Sequence, residues 1–461
     1  MEVITINGNR WRKTIGDEGQ DVLVAEFMVD EEKVLGQYPS EELYDLVIDK
    51  DTDFYLPSSG FNNELTEDRV AFKFRKGVFT QDEQDGCLEG LWGAAKVSDN
   101  RGLAAGQKTD GTHGNRLWVE KWQDQVVKWY EDGQPPNIDG SDPIEEIMKR
   151  GEKFDIRASA WIRYLIEEKY DYERFFSIMM EELASLSIPE AKKLANKIRE
   201  DYMSTTGYAS QVWSGIAGFY DRYPRIPFGR PTAYTEHHPE KFAKCFPFAR
   251  KLDAEFARLL PERYAYQKNL ADQTDKRFLI GEDTTFTTVT VNTTTEDRNA
   301  RMACHRDAGS LNEGFSNLAV IGDGKKSWKG GYLVTPEVRA AINVRPGDLL
   351  LIDNMRIIHG NTPIEAPDEG EMLRMSLIFY YRENMKKLGS WEYEALRRSF
   401  VLGRSRNSEH PLYRDKWNGV SEGMWFEQEW YDHLRDNLGE EAVRKYHPEA
   451  YEQSGSLEDF F

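Results

Sequence analysis

Apolar and polar positions alternate most clearly in the second half of the chain. The segment 284–295, TTFTTVTVNTTT, alternates with a period of two and is rich in Thr and Val, which predicts a β-strand. Further strands are predicted within 316–324, 330–353 and 374–384, where apolar runs are divided by turns that contain Gly, Pro and Asp. Many short strands separated by such turns are typical of a β-barrel or a double-sheet jelly roll.

Helical patterns lie on both sides of this region. The segment from 142 to about 203 is mostly helical in pattern, and 388–461 predicts a packed helical tail with aromatic-rich stretches. A run of prolines predicts irregular backbone over 219–234. The first hundred residues favour mixed short strands and turns, with a strand within 70–79.

These patterns predict an α+β protein with a jelly-roll core and flanking helices. We expect an acidic mixed α/β region at 1–140, a helical region with a basic and aromatic loop at 141–275, the jelly-roll core at 276–390 and an acidic helical tail at 391–461. An aromatic content of 12% argues against a disordered chain.

The negative charge is concentrated at the two ends of the chain. The net charge is −20, of which residues 1–100 carry −12 and residues 405–461 carry −7, so the middle is nearly neutral. An acidic total argues against a protein that coats nucleic acid non-specifically, but it allows a local basic groove. The acidic ends are interpreted as solvated surface.

Cysteine usage and the first residues bear on the compartment. Cys87, Cys245 and Cys304 are scattered and form no metal or disulfide pattern, which fits a reducing compartment. The N-terminal segment lacks the apolar stretch of a secretory signal, and no apolar run is long enough for a membrane helix. We therefore expect an intracellular, cytoplasmic protein with no membrane partner.

Two histidines stand in a context that suggests iron chemistry. His305 lies in CHRDAG with Asp307 two residues later, and His359 follows in LIDNMRIIHGN. Residues i and i+2 of an extended strand project from one face, so His305 and Asp307 can point at the same metal, and His359 is then expected from a facing strand. Two imidazoles and one carboxylate leave positions of Fe(II) open for substrates.

The residues around the histidines strengthen this interpretation. By itself an H-x-D sequence is more often a surface or packed histidine. Here PGDLLLIDN predicts a turn and an apolar strand before His359, and Arg374 and Ser376 open the next predicted strand. A guanidinium and a hydroxyl on one strand face can hold a carboxylate, such as the distal carboxylate of 2-oxoglutarate. The alternative for Arg374 is a surface ion pair.

The order of these motifs resembles that of the iron(II)- and 2-oxoglutarate-dependent dioxygenases of the double-stranded β-helix fold. Within them, HRD and RMSLIFYYRENM are similar to sequences of the TET methylcytosine dioxygenases and of the JBP thymidine hydroxylases, and the resemblance covers about 284–386. It implies His305, Asp307 and His359 as metal ligands and catalytic centre, Arg374 and Ser376 as the co-substrate site, and Fe(II), 2-oxoglutarate and O2 as cofactors. Three cysteines cannot form the zinc-binding region of the animal enzymes, so the microbial or phage branch is implied, with the host cytoplasm as location if the gene is phage-encoded.

The resemblance also implies two substrate contacts. Tyr380 takes the place of an aromatic residue that stacks on the flipped base, and Arg382 stands where the methylcytosine enzymes have a histidine near the base. The alternative for Tyr380 is a core aromatic on a strand. The segment 219–252 mixes basic and aromatic residues, so it either tracks phosphates and stacks bases or docks its aromatics on the core while its arginines pair with acidic residues.

The function implied is hydroxylation of the 5-methyl group of 5-methylcytosine or thymine in DNA, with the base flipped into the pocket. One alternative is a 2-oxoglutarate-dependent hydroxylase of a free nucleotide, a small metabolite or a protein side chain. The other is a non-catalytic DNA-binding protein with a decayed site, against which the intact set of His305, Asp307, His359 and Arg374 argues.

Overall fold

The structure is a computed structural model that describes residues 2–58, 64–98, 101–106, 212–222, 226–296, 298, 300–325, 327–366, 371–406 and 427–452. The helical segment predicted from 142 to about 203 lies outside these residues. The chain divides into two compact units, Met1–Gly111 with Tyr208–Tyr220 and Pro231–Lys387, and Thr112–Gly207 with Asp221–Arg230 and Leu388–Phe461. The four regions expected from the sequence stay a prediction.

The described strands are numbered in chain order. They are β1 (Glu2–Ile6), β2 (Asn9–Ile15), β3 (Asp21–Ala25), β4 (Leu46–Ile48), β5 (Thr52–Tyr55), β6 (Val70–Arg75), β7 (Lys96–Ser98), β8 (Val212–Arg222), β9 (Ile226–Pro231), β10 (Thr288–Thr294), β11 (Ser316–Ile321), β12 (Lys329–Gly330), β13 (Leu333–Thr335), β14 (Ala340–Ile342), β15 (Leu349–Ile352), β16 (Gly360–Asn361), β17 (Ile364–Glu365) and β18 (Arg374–Tyr380).

A large mixed sheet organises the first unit. Its order is β1-β2-β3-β5-β6-β15-β11-β18-β10-β8-β7, and a four-stranded sheet has the order β16-β13-β14-β4. β3 pairs with β5, and β14 with β4, in parallel, whereas the other pairs with a described register are antiparallel. The N-terminal segment therefore extends the same sheet as the later strands, through the pairing of β6 with β15. The architecture confirms the predicted α+β class.

β18 lies in the middle of the large sheet and separates two apolar cores. Its seven residues, RMSLIFY, are all buried, and it pairs with β10 on one side and β11 on the other. Side chains alternate across a strand, so Met375, Leu377 and Phe379 belong to one core, together with residues of the helix Phe246–Leu259. Ile378 and Tyr380 belong to the other core, which also holds side chains of the four-stranded sheet.

Helices of the first unit cover the core that contains Phe379. The helix α1 begins with a capping box, in which the Thr80 hydroxyl accepts from the Glu83 backbone and the Glu83 carboxylate accepts from the Thr80 backbone. Proline at the start of the two longest helices fits the first turn, where no backbone donor is needed. The described helices of this unit are α1 (Gln81–Leu91), α2 (Ala233–His237), α3 (Pro239–Ala243), α4 (Phe246–Leu259) and α5 (Pro261–Gln273).

One backbone prediction was wrong. The prolines within 219–234 predicted irregular backbone, but Ile226–Pro231 forms the strand β9. β9 stands off the main order of the sheet, and proline is tolerated in such edge strands because one row of backbone donors needs no partner.

The second unit contains the helical tail that the sequence predicted. Its described helices are α6 (Trp391–Arg406), α7 (Glu427–Leu438), α8 (Glu440–Tyr446) and α9 (Glu449–Glu452). Tyr393, Trp430, Leu434 and Val443 form its apolar core, and His447 joins Tyr393 to Trp430 by hydrogen bonds to its Nε2. Among the described helices of the whole chain, none is both long and apolar enough to cross a bilayer.

Candidate metal centre

His305 and His359 lie directly opposite each other in a short antiparallel bridge. The His305 backbone N–H donates to the His359 carbonyl and the His359 N–H donates to the His305 carbonyl, both at 2.9 Å. Their ring centroids are 4.3 Å apart. The sequence predicted that His359 would come from a facing strand, which was wrong. The two histidines lie in segments that pair directly with each other, although the residues are 54 apart in sequence.

Backbone carbonyls orient both imidazoles. Nδ1 of His305 contacts the Ala303 carbonyl at 2.7 Å, and Nδ1 of His359 contacts the Ile357 carbonyl at 3.1 Å. An Nδ1–H that donates to a carbonyl fixes the tautomer and leaves the Nε2 lone pair available to a metal. Both imidazoles are therefore prepared to bind through Nε2.

Asp307 completes a three-residue group. Its Oδ1 lies 3.3 Å from His305 Nε2 and 3.9 Å from His359 Nε2, and the ligand atoms of the three residues all lie within 4.8 Å of one another. The Asn354 side-chain amide donates to Asp307 Oδ2 at 3.0 Å, and the Asp307 backbone N–H donates to the Asn354 carbonyl. One carboxylate oxygen is thus held by Asn354 while the other faces the imidazoles.

The three residues shift each other's pKa values in ways that suit a cation. Burial and the like charge of His305 lower the pKa of His359 to about 4, so this imidazole stays neutral at pH 7. Burial alone would raise the pKa of Asp307, but the hydrogen bond from His305 and the charge of His359 outweigh it, so the pKa of Asp307 lies well below its usual value. Burial opposes protonation of His305, yet the bond to Asp307 raises its pKa, so a cation that binds at Nε2 would displace a proton held there. The ionised carboxylate thereby attracts positive charge to the point that the three ligand atoms share.

A second set of residues, which the sequence did not reveal, positions the two ligand-bearing segments. Arg306 stands between His305 and Asp307 and donates to the Glu337 carboxylate at 2.7 Å and to the Arg356 carbonyl at 3.0 Å. The other oxygen of Glu337, which is buried, accepts from the Ile358 backbone at 2.7 Å, next to His359. Glu337 therefore joins both segments.

Arg374 lies buried at the start of β18, with 3% of its surface exposed. Its Nε has no hydrogen-bond acceptor, and no carboxylate of the described residues pairs with its guanidinium. Burial, and after it the like charge of Arg345, lower the pKa of Arg374 to about 10. The surface ion pair that was the alternative for Arg374 is therefore not what the structure shows.

Ser376 belongs to a row of buried polar side chains on three neighbouring strands. Asn292 lies opposite Ser376 on one side and opposite Ser214 on the other. The Asn292 amide donates to the Ser376 hydroxyl at 3.4 Å, and the Ser214 hydroxyl donates to the Asn292 carbonyl oxygen at 2.6 Å. Ser376 shares its strand face with Arg374, since side chains two residues apart project the same way.

Tyr380 and Arg382 lie at the other end of β18. Tyr380 shares the core of Ile378 and is 8% exposed, so the structure makes it a wall residue of that core. Arg382 is half-buried, and its guanidinium lies within 4 Å of the place that a Cβ on Gly309 would occupy, two residues after Asp307. The Arg382 backbone also bridges to Ser310. The structure thus brings Arg382 beside the segment that carries two metal-ligand candidates.

The basic and aromatic segment 219–252 follows the second of its two interpretations wherever its side chains are described. Phe242 and Phe248 are fully buried in the core that contains Phe379. Its basic residues are engaged by protein groups, as the following pairs show: Lys241 with the Trp92 carbonyl, Lys244 with Glu89, Arg250 with Asp283 and Lys251 with Glu83. This segment therefore docks on the core, and its described lysines and arginines are committed to intramolecular partners.

Part of the chain is similar to known proteins. Residues 215–383 match the family model Tet_JBP, described as the oxygenase domain of the 2OGFeDO superfamily. The chain is 30% identical over 223 residues to the thymine dioxygenase JBP1 of Crithidia fasciculata, covering 47% of this chain and 25% of that protein. It is 28% identical over 209 residues to the JBP1 of Leishmania braziliensis, covering 44% of this chain and 24% of that protein. The match therefore spans about a quarter of the length of these relatives.

A bifunctional relative and a solved structure extend the comparison. The bifunctional helicase and thymine dioxygenase JBP2 of Trypanosoma cruzi is 26% identical over 302 residues, which is 59% of this chain and 26% of that protein. Among solved structures, NgTET1 in complex with 5mC DNA is similar at 17% identity and a TM-score of 0.31, over 43% of this chain and 72% of that one. Residues 215–383, which contain His305, Asp307, His359 and Arg374, are thus similar to the Tet_JBP oxygenase domain.

Proposed function

We propose that this protein is an iron(II)- and 2-oxoglutarate-dependent dioxygenase that hydroxylates the 5-methyl group of a pyrimidine base in DNA. The observation that carries the proposal is the grouping of two Nε2 atoms and one carboxylate within 4.8 Å, inside a domain that matches the Tet_JBP oxygenases. Thymine is the first candidate base, because the curated relatives JBP1 and JBP2 are thymine dioxygenases. 5-Methylcytosine is the second candidate.

The donor set fits Fe(II). Two neutral imidazoles and one carboxylate on one side of a metal are the ligand set of non-haem iron oxygenases, and the described group contains those three residues. With 2-oxoglutarate and O2, a bound Fe(II) supplies the oxidising power for hydroxylating a C–H bond while the co-substrate is decarboxylated to succinate. His305, Asp307 and His359 hold the ion, and Asn354 and Glu337 hold these ligands in place.

The pocket around Arg374 fits the distal carboxylate of 2-oxoglutarate. A buried guanidinium is costly unless an anion accepts its hydrogen bonds, and the Nε of Arg374 lacks an acceptor in the part of the chain that the structure describes. Ser376, on the same strand face, adds a hydroxyl that can donate to the same carboxylate. These two residues therefore orient the co-substrate from the end opposite its 2-oxo group.

The two sheets support a double-stranded β-helix as the finer description of this fold. Side chains of β11, β15 and β18 in the large sheet share one apolar core with those of β13 and β14 in the four-stranded sheet. Two sheets that enclose one core are what a jelly roll requires. In such a fold the ligands His305 and His359 stand near the rim of the enclosed space.

The substrate contacts are proposed at the far end of β18. Tyr380 faces the enclosed core and Arg382 lies beside Gly309, so a base that enters near the metal ligands meets both side chains. A base in duplex DNA has to leave the stack to reach such a site. We assign Tyr380 to the wall that packs against the base and Arg382 to its edge or to a flanking phosphate.

The test is oxidation of DNA by the purified full-length protein. We expect protein loaded with Fe(II) under nitrogen, then given 2-oxoglutarate and O2, to convert thymine in double-stranded DNA to 5-hydroxymethyluracil, measured by mass spectrometry of the released nucleosides. DNA that contains 5-methylcytosine is assayed in parallel, as are thymidine and its phosphates as free substrates. The Asp307→Ala variant is the control, because it leaves two imidazoles without the carboxylate.

The outcomes separate the candidate functions. Oxidation of free nucleotides with intact DNA left unchanged would assign the enzyme to nucleotide metabolism. If DNA binds but no base, free nucleotide or 2-oxoglutarate is consumed, the protein is a non-catalytic DNA-binding protein and the proposal fails.

A further inference from the structure

A second guanidinium, that of the half-buried Arg345, lies near Arg374 and is a like charge that lowers the pKa of Arg374. Arg345 stands in the turn between β14 and β15, and the next residue, Pro346, packs against Gly322 at the end of β11. The Leu373 carbonyl, adjacent to Arg374, lies near the same glycine: a Cβ built there would lie 3.2 Å from Pro346 and 3.5 Å from the Leu373 oxygen. The turn and the start of β18 therefore flank the same point of the sheet.

Aromatic rings hold the Arg345 side chain in place. Its guanidinium carbon lies 5.5 Å from the ring centroid of Trp328 and 5.7 Å from that of Tyr332, within the range of cation–π contacts. One of its terminal nitrogens also donates to the Trp328 carbonyl at 3.4 Å. Tyr332 in turn exchanges hydrogen bonds with Thr362, three residues after His359, through its backbone N–H and carbonyl.

Arg345, Arg374, Trp328 and Tyr332, which we call the arginine cluster, include hydrogen-bond donors that have no acceptor among the described residues. No carboxylate among the described residues pairs with the guanidinium of Arg345 or Arg374, and the buried Nε of Arg374 has no acceptor. The indole N–H of Trp328, which is 7% exposed, has none either. The nearby Asp348 carboxylate already accepts from Lys76, from the Gly77 backbone and from the backbone of Arg345 itself.

Two like charges held near each other, one of them buried, destabilise a fold unless an anion joins them. Desolvation and mutual repulsion both disfavour the pair, whereas one carboxylate can accept hydrogen bonds from two guanidinium groups and neutralise much of the charge. A ligand that ends in a carboxylate can accept hydrogen bonds from both guanidinium groups, and a ligand that ends in a methyl group cannot.

We propose that Arg345 is a second cationic residue of the co-substrate subsite, and that Arg345 and Arg374 together hold the distal carboxylate of a five-carbon 2-oxo dicarboxylate. This inference rests on the proposed function and deepens it, because it makes Arg345 a determinant of co-substrate selectivity. Trp328 and Tyr332 position the Arg345 guanidinium through their rings. The subsite is therefore selective for a dicarboxylate over a monocarboxylate of the same length.

Two ligands that differ only in the distal group provide the test. The full-length protein is loaded with Fe(II) under nitrogen, and binding of 2-oxoglutarate and of 2-oxopentanoate is measured by calorimetry, without turnover. We expect Arg345→Met to weaken 2-oxoglutarate binding roughly 10- to 100-fold, as for loss of a hydrogen bond to a charged group, and to leave 2-oxopentanoate binding unchanged. Arg345→Lys, which keeps the charge and loses the planar fork, is expected to fall between the two.

The stability of the protein without ligands gives a second measurement that a structural arginine would not produce. Arg345→Met loses the contacts with Trp328 and Tyr332 but also removes the repulsion acting on buried Arg374, so its denaturant midpoint should stay close to that of the wild type. Arg339→Met is the matched control, because Arg339 pairs with the buried side chain of Asp45, 2.5 Å from its Nε. That variant should lose stability and keep its affinity for 2-oxoglutarate.

Two results would overturn the inference. Unchanged 2-oxoglutarate affinity in both Arg345 variants removes Arg345 from the subsite, and an equal loss for both ligands assigns it a structural role. Arg374→Met, measured alongside, separates the inference from the proposed function. If that variant loses affinity while the Arg345 variants do not, only the inference fails; if all of them keep full affinity, the co-substrate site of the proposed function fails as well.

Discussion

The metal centre and the carboxylate pocket contrast in how their polar atoms are satisfied. At the metal centre, each Nδ1 contacts a backbone carbonyl, and the outer oxygen of Asp307 accepts from Asn354. Around Arg374, the Nε has no acceptor among the described residues, and Arg345 adds a like charge. The first site is oriented by the chain itself, whereas the second, in our proposal, is completed by a ligand.

This difference separates two properties of a site without its ligand: how well its geometry is kept, and how much it lowers the stability of the fold. Groups fixed by the backbone keep their geometry when the ligand is absent, so the metal centre should bind its ion without rearrangement. Groups left with unpaired donors lower the stability of the free protein, and the ligand restores that stability when it binds. Substitutions at the two sites should therefore have different signatures, which the following predictions use.

The largest effect is expected at the metal centre. His359→Ala removes one of three ligands, and we expect Fe(II) binding and succinate formation to be abolished, because two protein ligands hold iron poorly. Iron content after gel filtration and succinate by mass spectrometry measure the two effects. His237→Ala, which changes an exposed imidazole in the same unit, is the control and should retain both. Wild-type turnover in the His359 variant would disprove the assignment.

The next effect should appear in the carboxylate pocket. Arg374→Met is expected to weaken 2-oxoglutarate binding by about 2–5 kcal/mol, roughly 30- to several thousand-fold, while Fe(II) binding stays intact. The free protein should be at least as stable as the wild type, because an uncompensated buried charge is removed. Calorimetry and urea denaturation measure these quantities. A large loss of stability with unchanged affinity would show that the contrast between the two sites is wrong.

A smaller effect tests how rigidly the chain orients its metal ligands. Asn354→Ala frees the outer oxygen of Asp307, and we expect Fe(II) affinity or activity to fall about 10- to 100-fold, as for other residues that hold a metal ligand. Affinity is measured by competition with a chelator. Asn269→Ala, on an exposed face of α5, should leave it unchanged. An unchanged affinity in Asn354→Ala would mean that the Asp307 backbone alone orients its carboxylate.

The smallest effect concerns the substrate end of β18. Tyr380→Leu keeps most of the volume and removes the aromatic face, so we expect turnover on DNA to fall about fivefold, near the lower end of the 1–3 kcal/mol range for base stacking. The low exposure of Tyr380 limits the area it can offer to a base. Decarboxylation of 2-oxoglutarate without DNA should not change. Tyr381→Phe is the comparison variant, because its hydroxyl contacts Thr274 at 2.7 Å on the opposite face of the strand.

Local patterns were sufficient to predict the central strands and the three residues that we propose as metal ligands. Alternation marked β10 and β18, and the H-x-D sequence, the turn before β15 and the later histidine pointed to the three side chains that the structure groups together. These signals lie within short stretches of sequence, where the period of the side chains and the chemistry of the ligands coincide.

The features that the sequence did not predict all depend on contacts between distant segments. The extension of the large sheet through β6 and β15 pairs Phe72 with Ile352, and nothing near either residue marks that partner. Glu337 and Arg345 are ordinary charged residues in sequence, and their roles arise from where the sheets place them. The direct pairing of His305 with His359 was missed for the same reason, because register between distant segments has no local signal.

The register of β18 also limits how this site can change by insertion or deletion. Arg374 and Tyr380 are six residues apart on a strand that is paired on both sides, which fixes their separation at about 20 Å. Inserting one residue between them would turn one of the two side chains to the opposite face of the strand. The proposed contacts of Arg374 with the co-substrate and of Tyr380 with the base could then not both be kept. Inserting two residues would restore the facing but lengthen the span by about 7 Å. Changes in strand length can therefore preserve the facing of both side chains only in steps of two residues. Each such step moves one side chain by far more than the positional error that a reacting C–H bond allows.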